Sequence, residues 1–210
     1  MDKRWRNLLI IVLALALAAG AYYFLSNPGT GPIQNQGPNS TNAKLDIIFS
    51  KYGAERKTFS GTLPVELTDD GVTSKIKPAS FAGLRKDLNA LELETKSPPE
   101  KALVSIYLNA VVLSETEYDV LRQVQQLSSE IKGKDQAAAC AYQDRLPALN
   151  LRYADFFISV NDLSLQEIDY SQKYGDEKPL GLNTDKERAT MDSLSFLSEL
   201  YSNSCTDVAA

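Results

Sequence analysis

Carboxylates, hydroxyls and lysines are the side chains available for chemistry, because the 210 residues contain no histidine. Histidine is the commonest general base and the commonest transition-metal ligand in proteins. Cys140 and Cys205 stand far apart in the sequence, so they form neither a redox C-x-x-C pair nor a zinc cluster. The two glycine-rich patterns that bind nucleotide phosphates, G-x-x-x-x-G-K-[ST] and G-x-G-x-x-G, are missing as well. The sequence therefore argues against most hydrolase, zinc-dependent and nucleotide chemistry.

Paired acids are the remaining basis for catalysis, since glycosidases work with two facing carboxyl groups. Five acidic residues could meet at a cleft: Glu115, Glu117, Asp162, Glu167 and Asp169. The sequence gives Glu117 and Glu167 helix-cap roles, and Asp169 has Lys173 as a partner four residues later. We therefore predict that the chain is not an enzyme, with no catalytic, cofactor-binding or metal-binding residue.

An uncharged apolar run, Leu8 to Leu25, follows the basic residues Lys3, Arg4 and Arg6. As a helix it would be roughly 27 Å long, close to the ~30 Å hydrocarbon thickness of a bilayer. The positive-inside rule places the basic tail, residues 1–7, in the cytoplasm. We expect residues 8–25 to be a single transmembrane signal-anchor helix that contacts the bilayer and leaves the rest of the chain outside the cell membrane.

The outer end of this run carries the aromatic residues Tyr22 and Tyr23, which suit the lipid-water interface and are predicted to help anchor the helix. The small residues around Ala21 also resemble a signal-peptidase site, so secretion after cleavage near Ala21 is the alternative. Both interpretations export the remainder of the chain.

Residues 26–42 are rich in Pro, Gly, Asn and Ser, which predicts a flexible linker. The domain that follows, 43–210, has a length suited to one hydrophobic core. The whole chain has a net charge of −5, and this domain is more acidic still because the basic tail precedes it. Acidity of this kind argues against nucleic-acid partners.

Cys140 and Cys205 both lie in the part predicted to be outside, where disulfides form and persist. They form a possible disulfide, which would close a loop of about 66 residues and stabilise the fold by roughly 4 kcal/mol. Two unpaired thiols are the alternative.

Four Ser/Thr-x-x-Glu patterns predict helix starts, because each side chain can accept a hydrogen bond from the other residue's exposed backbone N–H. They are Ser97/Glu100, Ser114/Glu117, Ser164/Glu167 and Thr184/Glu187. Each opens a segment with helical apolar spacing. The domain is therefore predicted to be mostly α, an irregular antiparallel bundle of about six or seven helices.

Boundary signals subdivide this bundle. Asn42 could cap the first helix, and the segments after Ser97 and Ser114 could be one long, bent helix. We expect Pro147 to break or kink an alanine-rich helix capped by Asp135, and Asn161-Asp162 to end the helix that follows. A further helix is expected to end at Gly175.

Residues 59–77 alternate polar and apolar side chains around the turn signal Asp69-Asp70-Gly71. A small β-hairpin is predicted there, with an ordered loop as the alternative. The segment around Asp69 and Asp70 lacks the alternating oxygen ligands of an EF-hand calcium loop, so we interpret the two aspartates as turn residues.

These features predict a membrane-tethered, non-enzymatic interaction or scaffold module with an unidentified protein or envelope partner. A domain that binds a small ligand or a cell-envelope polymer is the first alternative. A carboxylate-dependent envelope hydrolase is the second.

Overall fold

The computed structural model describes residues 40–68, 71–142 and 144–206. The predicted tail (1–7), the anchor (8–25, with Leu8, Tyr22, Tyr23 and Leu25) and linker residues 26–39 lie outside this part of the chain. Within it, no helix combines the length and the hydropathy needed to cross a bilayer.

The described residues form a mostly helical fold with a small antiparallel hairpin, as the sequence predicts. The helices are α1 (Thr41–Lys51), α2 (Phe81–Glu94), α3 (Pro98–Ile131), α4 (Gln136–Cys140), α5 (Arg145–Tyr174) and α6 (Asp185–Thr206). The strands are β1 (Val65–Thr68) and β2 (Gly71–Ser74), and short 3-10 turns occupy Arg56–Phe59 and Pro78–Ser80.

The long helices α3 and α5 run antiparallel to each other. Side-chain hydrogen bonds join the two helices along their lengths, between Asn109 and Gln166, Asp119 and Arg152, and Glu130 and Arg145. The core lies between these helices, α1, α2 and the first half of α6. Its largest fully buried side chains include Phe49, Phe59, Phe81, Tyr153 and Phe156.

Helix α3 is one continuous helix, so Ser114 does not begin a new one. The Ser114 hydroxyl donates to the carbonyl of Ala110 at 2.7 Å, a bond that is compatible with a helix interior. Ser40 rather than Asn42 caps α1, since its Oγ accepts from the backbone N–H of Ala43 at 3.2 Å. The predicted cap residues were wrong at these two places because several polar residues nearby can play the same local role.

The alanine-rich helix α4, which Asp135 caps, ends at Cys140, and α5 begins at Arg145. The predicted break therefore exists but falls a few residues before Pro147, which lies in the first turn of α5, where a proline removes no intrahelical hydrogen bond. Helix α5 then runs without interruption past two further predicted boundaries. Asn161-Asp162 do not end the helix, because the Asn161 side chain donates to the carbonyl of Phe157 at 2.9 Å. Ser164 consequently begins no helix. The predicted end at Gly175 is confirmed by its left-handed φ of 73°.

The hairpin pairs Val65 with Ser74 and Thr68 with Gly71, and it packs on α3. The backbone N–H of Val72 donates to Gln125 Oε1 at 3.3 Å. A Cβ at position 71 would lie 2.3 Å from Gln125 Nε2, so glycine permits this close approach. Contact with a long helix supports a two-stranded hairpin that would be marginal alone.

A disulfide joins Cys140, at the end of α4, to Cys205 near the end of α6, with a Cα–Cα distance of 5.5 Å. The disulfide thus links the end of α6 to the end of α4. Tyr201 supplements it by donating its hydroxyl to the carbonyl of Ala139.

Candidate functional site

The five acidic residues that could have met at a cleft do not converge. Glu115 is on the surface and pairs with Arg85 at 3.0 Å, and Asp162 and Asp169 are exposed. Glu117 and Glu167 are both fully buried. A third glutamate, Glu187, is also buried, and it is the one that joins Glu117.

The Lys186 cluster consists of Glu117 on α3, Tyr153 on α5, and Lys186 and Glu187 in the first turn of α6. The Lys186 ammonium lies 3.2 Å from Glu117 Oε1 and 3.2 Å from Glu187 Oε1. The Tyr153 hydroxyl donates to Glu117 Oε1 over a long 3.4 Å. The cluster thus joins the three longest helices of the described fold at one buried point.

Lys186 also contacts the backbone at the start of β1. Its ammonium donates to the carbonyls of Leu63 at 3.3 Å and Val65 at 2.8 Å. One cation therefore bridges two carboxylates and two backbone carbonyls, which is a dense set of partners for one side chain.

Two buried glutamates share one lysine in this cluster. Burial raises the pKa of Glu117 to about 8, with Lys186 opposing the shift and Glu187 adding to it. Burial by itself would lower the pKa of Lys186, but attraction to the two glutamates raises it. Burial and the same two glutamates hold the pKa of Tyr153 well above its usual value. The arrangement favours a proton on Glu117 at neutral pH.

Hydrogen bonding in the cluster is incomplete. Glu117 Oε2 has no hydrogen-bond partner among the described residues, and Glu187 contacts Lys186 as an ion pair without a well-directed hydrogen bond. Glu117, Tyr153 and Glu187 are at most 1% exposed. These three groups therefore have the chemistry to hold a proton but are buried, whereas the Lys186 side chain is 21% exposed. The described residues contain no group of three or more potential metal ligands.

Glu167 forms a second buried polar site, the Glu167 loop cap. Its carboxylate accepts the backbone N–H groups of Leu180, Gly181 and Leu182, the last two at 3.0 Å. The same loop is fixed from the other side, where the Gly61 N–H donates to the Leu180 carbonyl at 2.8 Å. This site positions the connection between α5 and α6, and through it the first turn that carries Lys186.

Sequence reasoning named Glu117 and Glu167 as candidate acids but missed their burial, and it missed Glu187 as a candidate, because it assigned all three glutamates to capping boxes. A different signal was present: Glu117 falls in register between the apolar residues Leu113 and Leu121, and Glu167 between Leu163 and Tyr170. A glutamate within the apolar stripe of a helix predicts burial.

The outer face of α5 carries a second set of candidate residues, here called the outer stripe: Leu151, Ile158 and Leu165. These side chains are 65%, 58% and 59% exposed. They recur every seven residues, so they lie on one side of the helix at intervals of about 10.5 Å. The opposite side of α5 packs in the core, which gives this helix two apolar faces.

A shallow, open groove between α3 and α5 is lined in part by Ile106, Asp169, Tyr170 and Tyr174. The two tyrosine rings lie 5.3 Å apart between centroids. The Tyr170 hydroxyl donates to Asp176 at 3.2 Å.

Comparison of the chain with protein-family models, curated proteins and solved structures found no match.

Proposed function

We propose that this protein is a non-enzymatic interaction module, tethered to the outer side of a cell membrane. The observation that carries the proposal is the outer stripe, where three large aliphatic side chains are exposed at regular spacing on a well-packed helix. Large exposed apolar side chains that form a continuous patch are typical of protein contact sites. The two carboxylates of the Lys186 cluster, in contrast, are buried, which suits a structural role.

The tether is proposed from the sequence. The apolar run 8–25 would form a single-pass anchor with a cytoplasmic N-terminus, and residues 26–42 would give the domain a flexible linker. The Cys140–Cys205 disulfide supports an oxidising compartment outside the cytosol. Confinement at a membrane raises the effective concentration of the domain near membrane partners, so weak contacts can suffice.

Protease treatment of intact cells tests the location. A tag at the C-terminus should be digested from outside, while a tag at the N-terminus survives until lysis. Alkylation of cells before lysis should leave Cys140 and Cys205 unmodified, because they are joined. Protection of the C-terminal tag in intact cells would contradict the export of the domain, and release of the whole domain into the medium would favour the cleaved, secreted form.

Site-specific photo-cross-linking tests the interaction. A photoreactive residue at Ile158 should capture a neighbouring protein in cells. The matched control is Leu93 on α2, which is 84% exposed but stands apart from the outer stripe. Equal capture from both positions, or none from Ile158, would count against an interaction site on α5.

The tyrosine-bearing groove supports the alternative of a small-ligand or envelope-polymer binding domain. Tyr174 is half-buried at this groove, and a tyrosine ring offers the apolar face and polar edge that sugars contact. Tyr174→Ala should then weaken retention on cell-envelope material, while the same change at Tyr118 should not. Unchanged retention of the Tyr174 variant would argue against this alternative.

A further inference from the structure

We propose that the outer stripe binds an amphipathic helix of a partner protein whose apolar face is bordered by lysine or arginine. The inference rests on the proposed function, because it specifies the partner of the same surface. It depends on a juxtaposition in α5: apolar residues and aspartates both recur at seven-residue intervals, side by side.

The apolar part has the spacing of a helix-pairing seam. If Leu151, Ile158 and Leu165 are taken as the first positions of three heptads, the fourth positions are Ala154, Asn161 and Ile168. These fourth-position residues are half-buried, so the stripe is a shallow strip of exposed side chains about 21 Å long. A strip of this width and length fits one helix of about 20 residues.

The aspartates border one side of this seam. Asp155, Asp162 and Asp169 fall at the fifth heptad position, and all three are exposed. No ion pair among the described residues involves them. Charges at this position set partner choice in paired helices, so a row of three acids calls for basic residues on the incoming helix.

The opposite border is different. Asn150, Phe157 and Ser164 occupy it, and none carries a charge. The guanidinium of Arg188, from α6, lies 5.9 Å from the centre of the Phe157 ring. The partner helix therefore needs basic residues along only the border that faces the aspartates.

A second copy of this chain fits the surface less well. An antiparallel copy would bring the aspartate rows of the two helices together, and like charges at close range oppose pairing. A parallel copy would place each row opposite the uncharged border, with no electrostatic gain. Charge complementarity thus favours a different protein over self-association.

Two synthetic helical peptides test the inference against the full-length protein in neutral-lipid nanodiscs. Both carry the same three-heptad Leu/Ile stripe, and they differ only in having Lys or Glu along its border. The Lys peptide should bind about tenfold more tightly at low salt, since each exposed pair contributes modestly. The preference should shrink in 0.5 M salt, where screening is strong.

Variants of the protein make the test specific. Combined Asp155→Lys, Asp162→Lys and Asp169→Lys changes should reverse the peptide preference, and Ile158→Asp should weaken both peptides at least tenfold. Leu93→Asp is the matched control and should change neither. Circular dichroism checks that every variant is folded, which their exposed positions favour.

Three results would overturn the inference: equal binding of the two peptides, a preference that the triple charge reversal leaves unchanged, or a concentration-dependent dimer that Ile158→Asp abolishes. Its failure is separable from that of the proposed function. Capture of a protein from Ile158 in cells without discrimination between the peptides would refute only the basic-helix partner. Conversely, the protein could distinguish the two peptides while proteolysis of intact cells shows the domain to be inside the cell. That pair of results would refute the extracytoplasmic location and leave the basic-helix partner standing.

Discussion

Glu117 and Glu167 are the same residue type in similar settings, but their surroundings differ. Each is fully buried within a long helix and stands three residues after a serine. Glu167 accepts three backbone N–H groups. Glu117 has one lysine contact at 3.2 Å, one long bond from Tyr153, and an oxygen with no hydrogen-bond partner among the described residues.

The comparison shows that the partners of a buried carboxylate, rather than its burial alone, decide what it does in the fold. Three backbone N–H groups satisfy the carboxylate of Glu167 in fixed geometry, which suits this residue as a loop cap. Burial disfavours the charged form of Glu117, and a single lysine shared with Glu187 does not offset this, so Glu117 is favoured in the protonated form. The first site fixes a loop, and the second makes stability depend on pH.

Removal of the shared cation should have the largest effect. Lys186→Met leaves two buried carboxylates without a counter-ion and should lower the free energy of unfolding by about 3–5 kcal/mol near pH 8. Urea denaturation followed by circular dichroism measures the change. Adding Glu117→Gln to the Lys186 variant should restore part of the loss; a double variant no more stable than the single one would show that charge in the cluster is not the cause.

The pH dependence of stability should distinguish the two glutamates next. The pKa of Glu117 is raised to about 8 in the fold from 4.5, so between these pH values the folded state holds a proton that the unfolded state has released. The stability that the protonated form of Glu117 contributes is fully present below pH 4.5 and is lost as the pH rises towards 8, by about 1.4 kcal/mol per pH unit.

The measurement is the difference between wild type and Glu117→Gln in urea denaturation at several pH values. The variant should lose this slope and become the more stable protein at the alkaline end. Parallel stability curves for the two proteins would refute the assignment.

Glu167→Gln should destabilise the protein by about 2 kcal/mol. The neutral amide keeps one acceptor but loses the charge-assisted bonds, and its own N–H₂ group faces backbone donors. Hydrogen exchange should quicken first at Leu180, Gly181 and Leu182. If Glu167→Gln instead stabilised the protein, as we expect of Glu117→Gln at alkaline pH, the two buried glutamates would not differ in the way proposed.

Tyr153→Phe should have the smallest effect, at most about 1 kcal/mol, because the lost hydrogen bond is long. This bond lowers the pKa of Glu117, so its loss should move the midpoint of the pH-dependent transition upwards. A loss of several kcal/mol would instead show that Tyr153 is a main stabiliser of the cluster.

Much of the fold followed from local patterns. Apolar spacing predicted the helical segments, the alternation around Gly71 predicted the hairpin, and Gly175 marked a helix end, because each signal acts within a few residues. Boundaries inside α3 and α5 were wrong, since Ser114 and Asn161 satisfy backbone carbonyls within a helix as readily as they cap one.

The residues by themselves determined the helical class, the acidic character of the domain and the pattern of apolar stripes. Tertiary structure alone decided which carboxylates are buried, which of them share Lys186, and that Leu151, Ile158 and Leu165 face outwards. The physical reason is range: helix spacing and charge composition depend on neighbours in sequence, whereas desolvation and pairing of a charge depend on atoms that distant segments bring together.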